Sequence, residues 1–417
     1  MTFHVKHRRR WLLVPLVLAI PIIAACRIQN DPDGWAAPLS IGDEDDRQVL
    51  IVRTDDDHLA RVSVDLTTDP ATVTTIWEFP GSPTLELAGS RTYADDEFPG
   101  LVDEIGASGF YGTPALLGPE GEELIVGDYD EGVVYALRTD GTSARIIFET
   151  DDRVIAGVLV DEDRRTAYIA TADNRVIAVD TEKPEASLWT FDESGEAIWG
   201  TPALADSRKH GRLLIVPSLD GNVYALRTDP DVADHERLAW KFETGAGIAS
   251  SVVVQDGRAF VGGFDRTFYA IDLDSGTEVW RRSGSNWFWT TALVDGGIVY
   301  VGDLDGKVWA WDAETGAPVW EAPYDANDRI RAQPLLVEER ALLVIVTRSG
   351  EIHALDAATG EVRWNSGVKG VKVESRVLAD PVLLGSIVLV NNDDGRLFEV
   401  RVGAQRLRRL QEEGRTG

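Results

Sequence analysis

Few residues of this chain have the types and the spacing that catalysis requires. Beyond residue 25 the sequence has four histidines, which lie far apart and form no HExxH pair (His58, His210, His235 and His353). It contains no GxSxG nucleophile turn, no P-loop and no complete GxGxxG segment. We therefore predict no catalytic residue, no metal site and a protein that is not an enzyme.

The single cysteine, Cys26, follows an N-terminal targeting segment. Residues 1–10 are cationic, and residues 11–25 form a 15-residue apolar stretch, which is shorter than the roughly 20 residues of a spanning helix. Small residues directly before a lone cysteine resemble a bacterial lipobox, which implies lipid transfer to Cys26 and cleavage before it. The alternative is an ordinary secretory signal. We predict a lipoprotein signal peptide over 1–25, a tether over 26–34 and a lipid anchor on the extracytoplasmic side of a bacterial membrane.

The chain is strongly acidic, with a formal net charge of −29 at pH 7. Such a surface repels the phosphates of nucleic acids and of anionic lipids. We therefore expect no nucleic-acid partner, and contact with the membrane through the N-terminal lipid only.

A strand-like segment recurs along the chain at a nearly constant interval. Its alternating apolar residues end at one equivalent position per repeat, occupied by Asp65, Arg138, Asp180, Arg227, Asp272, Asp312, Asp356 and Arg401. After a first gap of 73 residues the intervals are 40–47 residues, and a strand-rich period of this size is typical of a β-propeller. The eight repeats predict an all-β, eight-bladed β-propeller.

Each repeat has the pattern of four antiparallel strands joined by tight turns. In the sixth repeat we predict strands over 290–294, within 296–303, over 308–312 and over 319–324. The Asp-Gly pair between the second and third of these favours a hairpin. Four such strands make one blade.

A tryptophan on the fourth strand closes most repeats. These residues are Trp77, Trp189, Trp240, Trp280, Trp320 and Trp364, and Ile146 or Ile147 takes the place in the second repeat. A large flat side chain that recurs once per blade, on the outermost strand, packs most simply between neighbouring blades. We predict a structural docking role for these tryptophans.

The pattern A-x-D-x-x-T-G-x-x-x-W resembles the tryptophan-docking repeat of the PQQ-like eight-bladed propellers. This family includes quinoprotein alcohol dehydrogenases and BamB-like lipoproteins. Repeats five to seven match the pattern well and the others loosely, and the period covers residues 35–411. The lipobox, length and blade number are similar to the BamB-like members, which implies a scaffold that holds partners for envelope protein assembly.

The ends of the propeller follow from the repeat alignment. We place the propeller at 35–411 and a C-terminal tail at 412–417. The first blade begins near Ala37, and residues 406–411 supply the fourth strand of the last blade. The segment around Trp35 is the alternative for that strand.

One position per blade, just before the first strand, predicts the lining of one mouth of the central channel. This position holds Trp35, Tyr111, Ile155, Trp199, Ile248, Trp289, Arg331 and Val373. Its aromatic residues favour a pocket for a flat ligand or a peptide side chain, and blade packing is the alternative. The candidate binding residues are Trp35, Tyr111, Trp199, Trp289 and Arg331.

Acidic turns are expected on the same face as this mouth. Seven of the eight turns between second and third strands hold aspartate. Segments such as DYDEG (128–132) contain only half of a Ca²⁺ loop, so we interpret these residues as turn formers. Their charge favours a basic partner.

The long first gap predicts an inserted loop over 81–108, between the first two blades. Loops of this length are often functional. Because the insertion leads into a first strand, we expect it to overhang the channel mouth as a lid or partner-binding arm. A passive insertion is the alternative.

These features predict a monomeric, non-catalytic, lipid-anchored envelope propeller that binds protein partners and requires no cofactor. A small-molecule- or PQQ-binding lipoprotein that uses the aromatic mouth is the alternative, followed by a quinoprotein dehydrogenase. Resemblance to the quinoprotein members implies a vicinal Cys-Cys disulfide over the quinone and a bound Ca²⁺. A chain with one cysteine cannot form that disulfide.

Overall fold

The repeats form eight four-stranded blades in the computed structural model, which confirms the predicted eight-bladed propeller. The structure describes residues 37–44, 47–54, 58–68, 71–79, 86–87, 110–118, 121–184, 186–367, 372–401, 406–409 and 411–412. The predicted signal peptide and tether, with Cys26, and also Trp35, lie outside these residues. Within the described ranges, no helix is long and apolar enough to cross a membrane.

Blades 1 to 4 contain consecutive antiparallel strands. Blade 1 has β1 (Leu39–Glu44), β2 (Arg47–Arg53), β3 (Leu59–Asp65) and β4 (Thr72–Phe79); β5 (Glu86–Leu87) follows; blade 2 has β6 (Ala115–Leu117), β7 (Glu123–Gly127), β8 (Val133–Arg138) and β9 (Ser143–Glu149); blade 3 has β10 (Leu159–Asp161), β11 (Thr166–Ala170), β12 (Val176–Asp180) and β13 (Ser187–Phe191); blade 4 has β14 (Ala203–Ser207), β15 (Gly211–Pro217), β16 (Asn222–Arg227) and β17 (Leu238–Glu243).

Blades 5 to 8 repeat this arrangement. Blade 5 has β18 (Val253–Gln255), β19 (Arg258–Gly262), β20 (Thr267–Asp272) and β21 (Glu278–Ser283); blade 6 has β22 (Leu293–Asp295), β23 (Ile298–Gly302), β24 (Lys307–Asp312) and β25 (Tyr324–Asp325); blade 7 has β26 (Leu335–Val337), β27 (Leu342–Val346), β28 (Ile352–Asp356) and β29 (Val362–Asn365); blade 8 has β30 (Val382–Leu384), β31 (Ile387–Asn391), β32 (Leu397–Arg401) and β33 (Arg406–Arg409); β34 (Gln411–Glu412) follows. Among the residues that the structure describes, three short 3₁₀ helices lie at Glu162–Arg164, Asp234–Glu236 and Glu338–Arg340.

The hydrophobic core is divided into layers between neighbouring blades. The second and third strands bury nearly every side chain, as in β12, where four consecutive residues are buried. They are apolar on both faces because each blade packs against a neighbour on either side. One apolar cluster fills the junction of blades 4 and 5 and another fills that of blades 3 and 4. Stability therefore depends on how well each blade docks on the next.

The predicted docking tryptophans are buried at these junctions, and four of them make the same contact. At the junction of blades 1 and 2, the indole N–H of Trp77 donates to the carbonyl of Thr139 at 3.0 Å, beside Gly141. The indole N–H of Trp240, Trp280 and Trp320 donates to a backbone carbonyl in the next blade, at 2.9, 3.1 and 3.0 Å. The acceptor lies in the turn after that blade's third strand. The indole face lies over a glycine of the same turn, Gly276, Gly316 or Gly360, each with a positive φ. A Cβ on any of them would lie 2.6–2.7 Å from the indole, so the turn requires glycine.

The aspartate of the repeat shapes this turn. The Asp312 carboxylate accepts hydrogen bonds from the backbone N–H and the hydroxyl of Thr315 at 2.8 and 2.6 Å. The backbone N–H of Gly316 donates to the carbonyl of Asp312 at 2.8 Å. The threonine hydrogen bonds lower the pKa of Asp312. The aspartate, threonine and glycine of one repeat and the tryptophan of the preceding repeat thus form one blade–blade contact.

A β-bulge precedes the docking tryptophan and turns it inward. Trp280 pairs with Ala270, whereas Glu278 pairs with Ile271, so Val279 is left without a partner across the strand. Val279 is 40% exposed, and Trp280 is 5% exposed. The extra residue sharpens the local twist, which places the valine outside and the indole in the junction.

The junction of blades 3 and 4 uses a different contact. Arg237 lies in the segment that lengthens the turn of blade 4, and its guanidinium stacks 4.5 Å from the ring centre of Trp189. That guanidinium is buried and donates to the carbonyls of Arg227, Asp229 and Val232 at 2.7–2.8 Å. The indole N–H of Trp189 has no hydrogen-bond partner among the described residues. An arginine here replaces the glycine turn.

The prediction of a fourth strand over 319–324 in blade 6 was wrong. The strand is limited to Tyr324–Asp325, and Pro318 contacts Trp311 only as an isolated bridge. Pro318 and Pro323 lack the N–H that a continuous ladder requires. Trp320 remains 4% exposed despite this interruption.

Of the two segments that the repeat alignment left open for the fourth strand of the last blade, the C-terminal one is observed. Strand β33 (Arg406–Arg409) pairs antiparallel with β32 as the fourth strand of blade 8. Strand β34 (Gln411–Glu412) then pairs in parallel with β4 of blade 1. An apolar cluster that includes Leu50 and Leu389 fills the junction of the first and last blades.

Candidate functional site

The segment before each first strand and the turn between second and third strands lie on the same face. The backbone N–H of Leu219 donates to the carbonyl of Ala197 at 3.0 Å. Leu304 makes the equivalent bond to Trp287 at 3.0 Å, and Arg348 makes it to Arg329 at 2.7 Å. This repeated bond joins the two segments of a blade around one end of the central channel.

Four of the five candidate binding residues lie at this end of the channel. Tyr111, Trp199, Trp289 and Arg331 line one cavity of about 90 Å³, and Ile155 lines it as well. The fifth candidate, Trp35, lies outside the described residues. We refer to these four residues with Ile155 as the channel mouth. The structure therefore brings together side chains from blades 2, 3, 4, 6 and 7 that are far apart in sequence.

Two residues of the predicted ring, Ile248 and Val373, do not line the mouth. Both are fully buried, and Ala249 and Leu378 line the cavity instead. The backbone N–H of Ile248 donates to the carbonyl of Ser218 at 3.0 Å. Ile248 is therefore structurally equivalent to the buried Ile198 rather than to Trp199. The sequence alignment was shifted there because no aromatic residue marks the position.

The aromatic residues of the mouth form two groups. Trp289 contacts Trp199, with ring centres 6.1 Å apart, and Phe264, with ring centres 5.1 Å apart. Phe264 also stacks on Trp287 at 4.7 Å. On the blade 2 side, Tyr111 lies against Tyr129 at 4.3 Å.

The sequence analysis missed three of these aromatic residues. Phe264 and Tyr129 lie in turns between second and third strands, and Trp287 lies two residues before Trp289. The predicted ring contains only one position per blade, before the first strand. The facing turns would have indicated Phe264 and Tyr129, and Trp287 would have required a second position before the first strand.

Two charged groups are drawn into the channel wall. The guanidinium of Arg331 lies 3.9 Å from the ring centre of Trp289. Burial, together with the nearby charges of Arg348 and Arg329, lowers the pKa of Arg331 to about 10. Burial raises the pKa of the Asp380 carboxyl to about 6, although its oxygen accepts the backbone N–H of Gln333 at 2.6 Å. The channel wall therefore presents an indole, a guanidinium and a carboxyl group to a bound molecule.

The aspartates of the facing turns are occupied by turn hydrogen bonds. Asp220 accepts the backbone N–H of Gly195 at 2.7 Å and the hydroxyl of Tyr224 at 2.6 Å. Asp265 accepts the backbone N–H of Gly245 at 2.8 Å and the hydroxyl of Tyr269. In the described part of the chain, no three His, Cys, Asp or Glu residues are placed to share a metal ion.

Two residues of the predicted 81–108 insertion are described. Glu86 and Leu87 pair in parallel with Ser143 and Ala144 of β9, so they extend the outer edge of blade 2. This is the start of β9, at the end of the blade away from the mouth. The remaining residues of the insertion lie outside the described ranges, and the lid or partner-binding role stays a prediction.

Comparisons with known proteins agree with this architecture. Residues 231–413 match the family model described as outer membrane protein assembly factor BamB. The crystal structure of BamB from Moraxella catarrhalis aligns with a TM-score of 0.60 and 14% identity, over 89% of this chain and 96% of that chain. A chain of a mitotic checkpoint complex aligns with a TM-score of 0.51 and 16% identity, over 69% of this chain and 84% of that chain. No curated protein matches the sequence.

The predicted resemblance to the PQQ-like, BamB-like propellers is thereby confirmed. At 14–16% identity the two structural alignments establish the fold. Function has to be argued from the site, because one fold supports many functions.

Proposed function

We propose that this protein is a non-catalytic, lipid-anchored scaffold of the bacterial cell envelope that binds other proteins at the channel mouth. The match of residues 231–413 to the BamB family model carries this proposal. The alignment that covers 96% of a BamB chain supports it, because the similarity extends around the ring. An outer-membrane-associated location follows from the same resemblance.

The shape of the mouth supports a protein partner. Its cavity of about 90 Å³ is smaller than the roughly 300–1,000 Å³ of typical small-molecule pockets. Around it, Trp199, Trp287 and Trp289 are partly exposed. Partly exposed aromatic and arginine side chains are the residue types that dominate binding energy at protein interfaces.

The residues near the mouth also favour binding over catalysis. Asp380 and Arg331 line the cavity, and its lining residues include no histidine or cysteine. The serine of the lining, Ser251, accepts the backbone N–H of Thr201 at 3.0 Å. The single cysteine of the chain cannot form the vicinal disulfide that the quinoprotein resemblance implies. We therefore assign no catalytic step.

A pull-down from native membranes tests the proposal. The lipidated protein is crosslinked mildly in cells and recovered, with Cys26→Ser as the unlipidated control. We expect the wild type to recover outer-membrane assembly proteins and the variant to lose both fatty-acid labelling and most of this recovery. If the wild type recovers no envelope protein, the scaffold proposal is wrong.

A second candidate function is binding of a small planar molecule in the channel. The stack of Arg331 on Trp289 and the presence of Asp380 in the same cavity favour it. Titration of the protein with PQQ, followed by quenching of tryptophan fluorescence, tests this alternative. The scaffold proposal predicts no saturable quenching. Saturable quenching that is lost in Trp199→Ala would favour the small-molecule function.

A further inference from the structure

Blade 7 places three arginines at the channel mouth of an otherwise acidic protein. Arg329 and Arg331 lie in the segment before its first strand, and Arg348 lies in its turn between second and third strands. The backbone N–H of Arg348 donates to the carbonyl of Arg329 at 2.7 Å, so the two segments are adjacent. We refer to these three residues as the arginine cluster.

Four other arginines of this face are paired with carboxylates. Arg153 lies 3.4 Å from Asp152, and the guanidinium of Arg376 contacts the carboxylate of Asp393 at 2.5 Å. Two further pairs follow the same pattern, Arg175 with Asp151 and Asp173, and Arg396 with Glu374 and Asp394. These pairs reduce the charge that a partner meets on most of the face.

Arg329 and Arg348 lack such neutralisation. Among the described residues, no carboxylate oxygen lies within 4 Å of either guanidinium. The carboxylate of the adjacent Asp328 accepts the backbone N–H of Ser349 at 2.8 Å. Arg329 is exposed and Arg348 is partly exposed, so both can reach a partner.

The positive charges of the cluster repel one another. Arg329 and Arg348 are close enough to lower the pKa of Arg331. A bound anion would remove this repulsion, and carboxylates match guanidinium groups in geometry as well as in charge. The cluster is therefore ready to accept a carboxylate.

An apolar surface lies beside the cluster. Arg331 covers one face of Trp289, and Phe264 joins Trp289 to the stacked and partly exposed Trp287. A ligand that places an aromatic or aliphatic side chain next to a carboxylate would fit both surfaces. A polypeptide segment provides this combination.

We propose that the arginine cluster and the neighbouring tryptophans Trp287 and Trp289 bind an acidic segment of a partner protein. This inference rests on the proposed scaffold function and names the chemistry of the partner. A flat anionic membrane fits less well, because the remainder of the face carries acidic turns such as those of Asp305 and Asp394, and the chain has a net charge of −29.

Fluorescence polarisation with designed peptides tests the inference. The acidic probe is a fluorescein-labelled peptide with the sequence GDEWDEG, and GNQWNQG and GKRWKRG are the neutral and basic probes. The test variant combines Arg329→Glu with Arg348→Glu. The matched control combines Arg281→Glu with Arg340→Glu, which changes the net charge equally at exposed positions away from the mouth. Equal urea-unfolding midpoints establish that both variants are folded.

We expect the acidic probe to bind the wild type and the control, and to bind the Arg329→Glu, Arg348→Glu variant at least about tenfold more weakly, since buried charge pairs at interfaces have effects of this size or larger. Added salt should weaken the interaction. Equal affinity for both variants, or no binding of the acidic probe to the wild type, would overturn the inference. Binding of phosphatidylglycerol vesicles through these arginines, without peptide binding, would also overturn it.

The outcome is separable from that of the scaffold proposal. If membrane pull-downs recover partners equally with the wild type and the Arg329→Glu, Arg348→Glu variant, the scaffold function stands and the arginine cluster is not its binding site. If the acidic peptide binds through the cluster but pull-downs recover no envelope protein, the site stands and the scaffold function fails.

Discussion

The outer rim, where the docking tryptophans lie at the blade–blade junctions, and the channel mouth use tryptophan in opposite ways. On the rim, Trp320 is 4% exposed, its N–H donates to the carbonyl of Ala357, and its face covers Gly360. At the mouth, Trp199 and Trp289 are only partly buried and contact other aromatic rings or Arg331. Four rim indoles donate to backbone carbonyls of the next blade, whereas the mouth indoles contact side chains and solvent. Residue type alone does not distinguish structural from binding tryptophans; the partner of the indole does.

Carboxylates show the same contrast. On the rim, hydrogen bonds from Thr315 lower the pKa of Asp312. At the mouth, burial raises the pKa of Asp380. The rim therefore favours the charged form as part of the turn, whereas the mouth holds a carboxyl group in a poorly solvated position.

Removal of a rim tryptophan should have the largest effect on stability. Trp320→Ala deletes a buried side chain and leaves the carbonyl of Ala357 without this donor, so we expect a loss of about 3–5 kcal/mol in the free energy of unfolding. Urea unfolding monitored by circular dichroism measures it. A loss below about 1 kcal/mol would show that the rim contact is not part of the core.

The glycine beneath that tryptophan should have a smaller effect. Gly360 has φ +75°, and a Cβ there would lie 2.6 Å from the indole of Trp320. Gly360→Ala should cost about 2–4 kcal/mol, from left-handed backbone strain and a clash. Gly211→Ala is the control, because Gly211 has φ +74° and nothing within 4 Å of its Cβ position. We expect about 1–2 kcal/mol for the control; equal losses for both variants would contradict the docking contact.

The carboxyl group at the mouth should oppose stability at neutral pH. Because the pKa of Asp380 is about 6 in the folded state and 3.8 is the ordinary value, the folded protein binds a proton more tightly than the unfolded chain. Stability is therefore lost as pH rises from about 4 to 6. Asp380→Asn should be more stable than the wild type by on the order of 1 kcal/mol at pH 7.5 and no more stable at pH 3.5. Thermal unfolding at both pH values measures the difference, and an equal effect at both would refute it.

Removal of the mouth tryptophans should have the smallest effect on stability. Trp199→Ala combined with Trp289→Ala removes partly exposed rings that no backbone group holds, so we expect a loss below about 1–2 kcal/mol, well under that of one rim tryptophan. Urea unfolding beside Trp320→Ala gives the direct comparison. A loss as large as that of Trp320→Ala would make the mouth tryptophans structural.

Most of the fold could be predicted from the sequence because each repeat carries residues for the contacts with both neighbouring blades. The aspartate and glycine of one repeat contact the tryptophan of the preceding repeat, so recurrence of the motif indicates how successive blades dock. The junction at Trp189 could not be predicted, because Arg237 lies in an insertion that has no equivalent in other blades. The shortness of the fourth strand of blade 6 was not predicted, because the docking tryptophan is present there as in other repeats. Two prolines nevertheless interrupt the hydrogen-bond ladder.

The candidate site was predicted less completely. Tyr111, Trp199, Trp289 and Arg331 meet as expected, because aromatic residues mark their positions in the repeat. Asp380, Arg329 and Arg348 were not predicted, since their role depends on which side chains of other segments lie beside them. Pairing of Arg376 with Asp393 and the absence of a described carboxylate partner for Arg348 become visible only in three dimensions.

The most direct test of the account is recovery of envelope proteins by the wild type and by the variant with Trp199→Ala and Trp289→Ala, after mild crosslinking in native membranes. Both proteins are first shown to have similar urea-unfolding midpoints and similar lipidation. We predict that the variant folds and reaches the membrane but recovers much less of the partners. Equal recovery by the two proteins would contradict the assignment of the channel mouth as the binding surface.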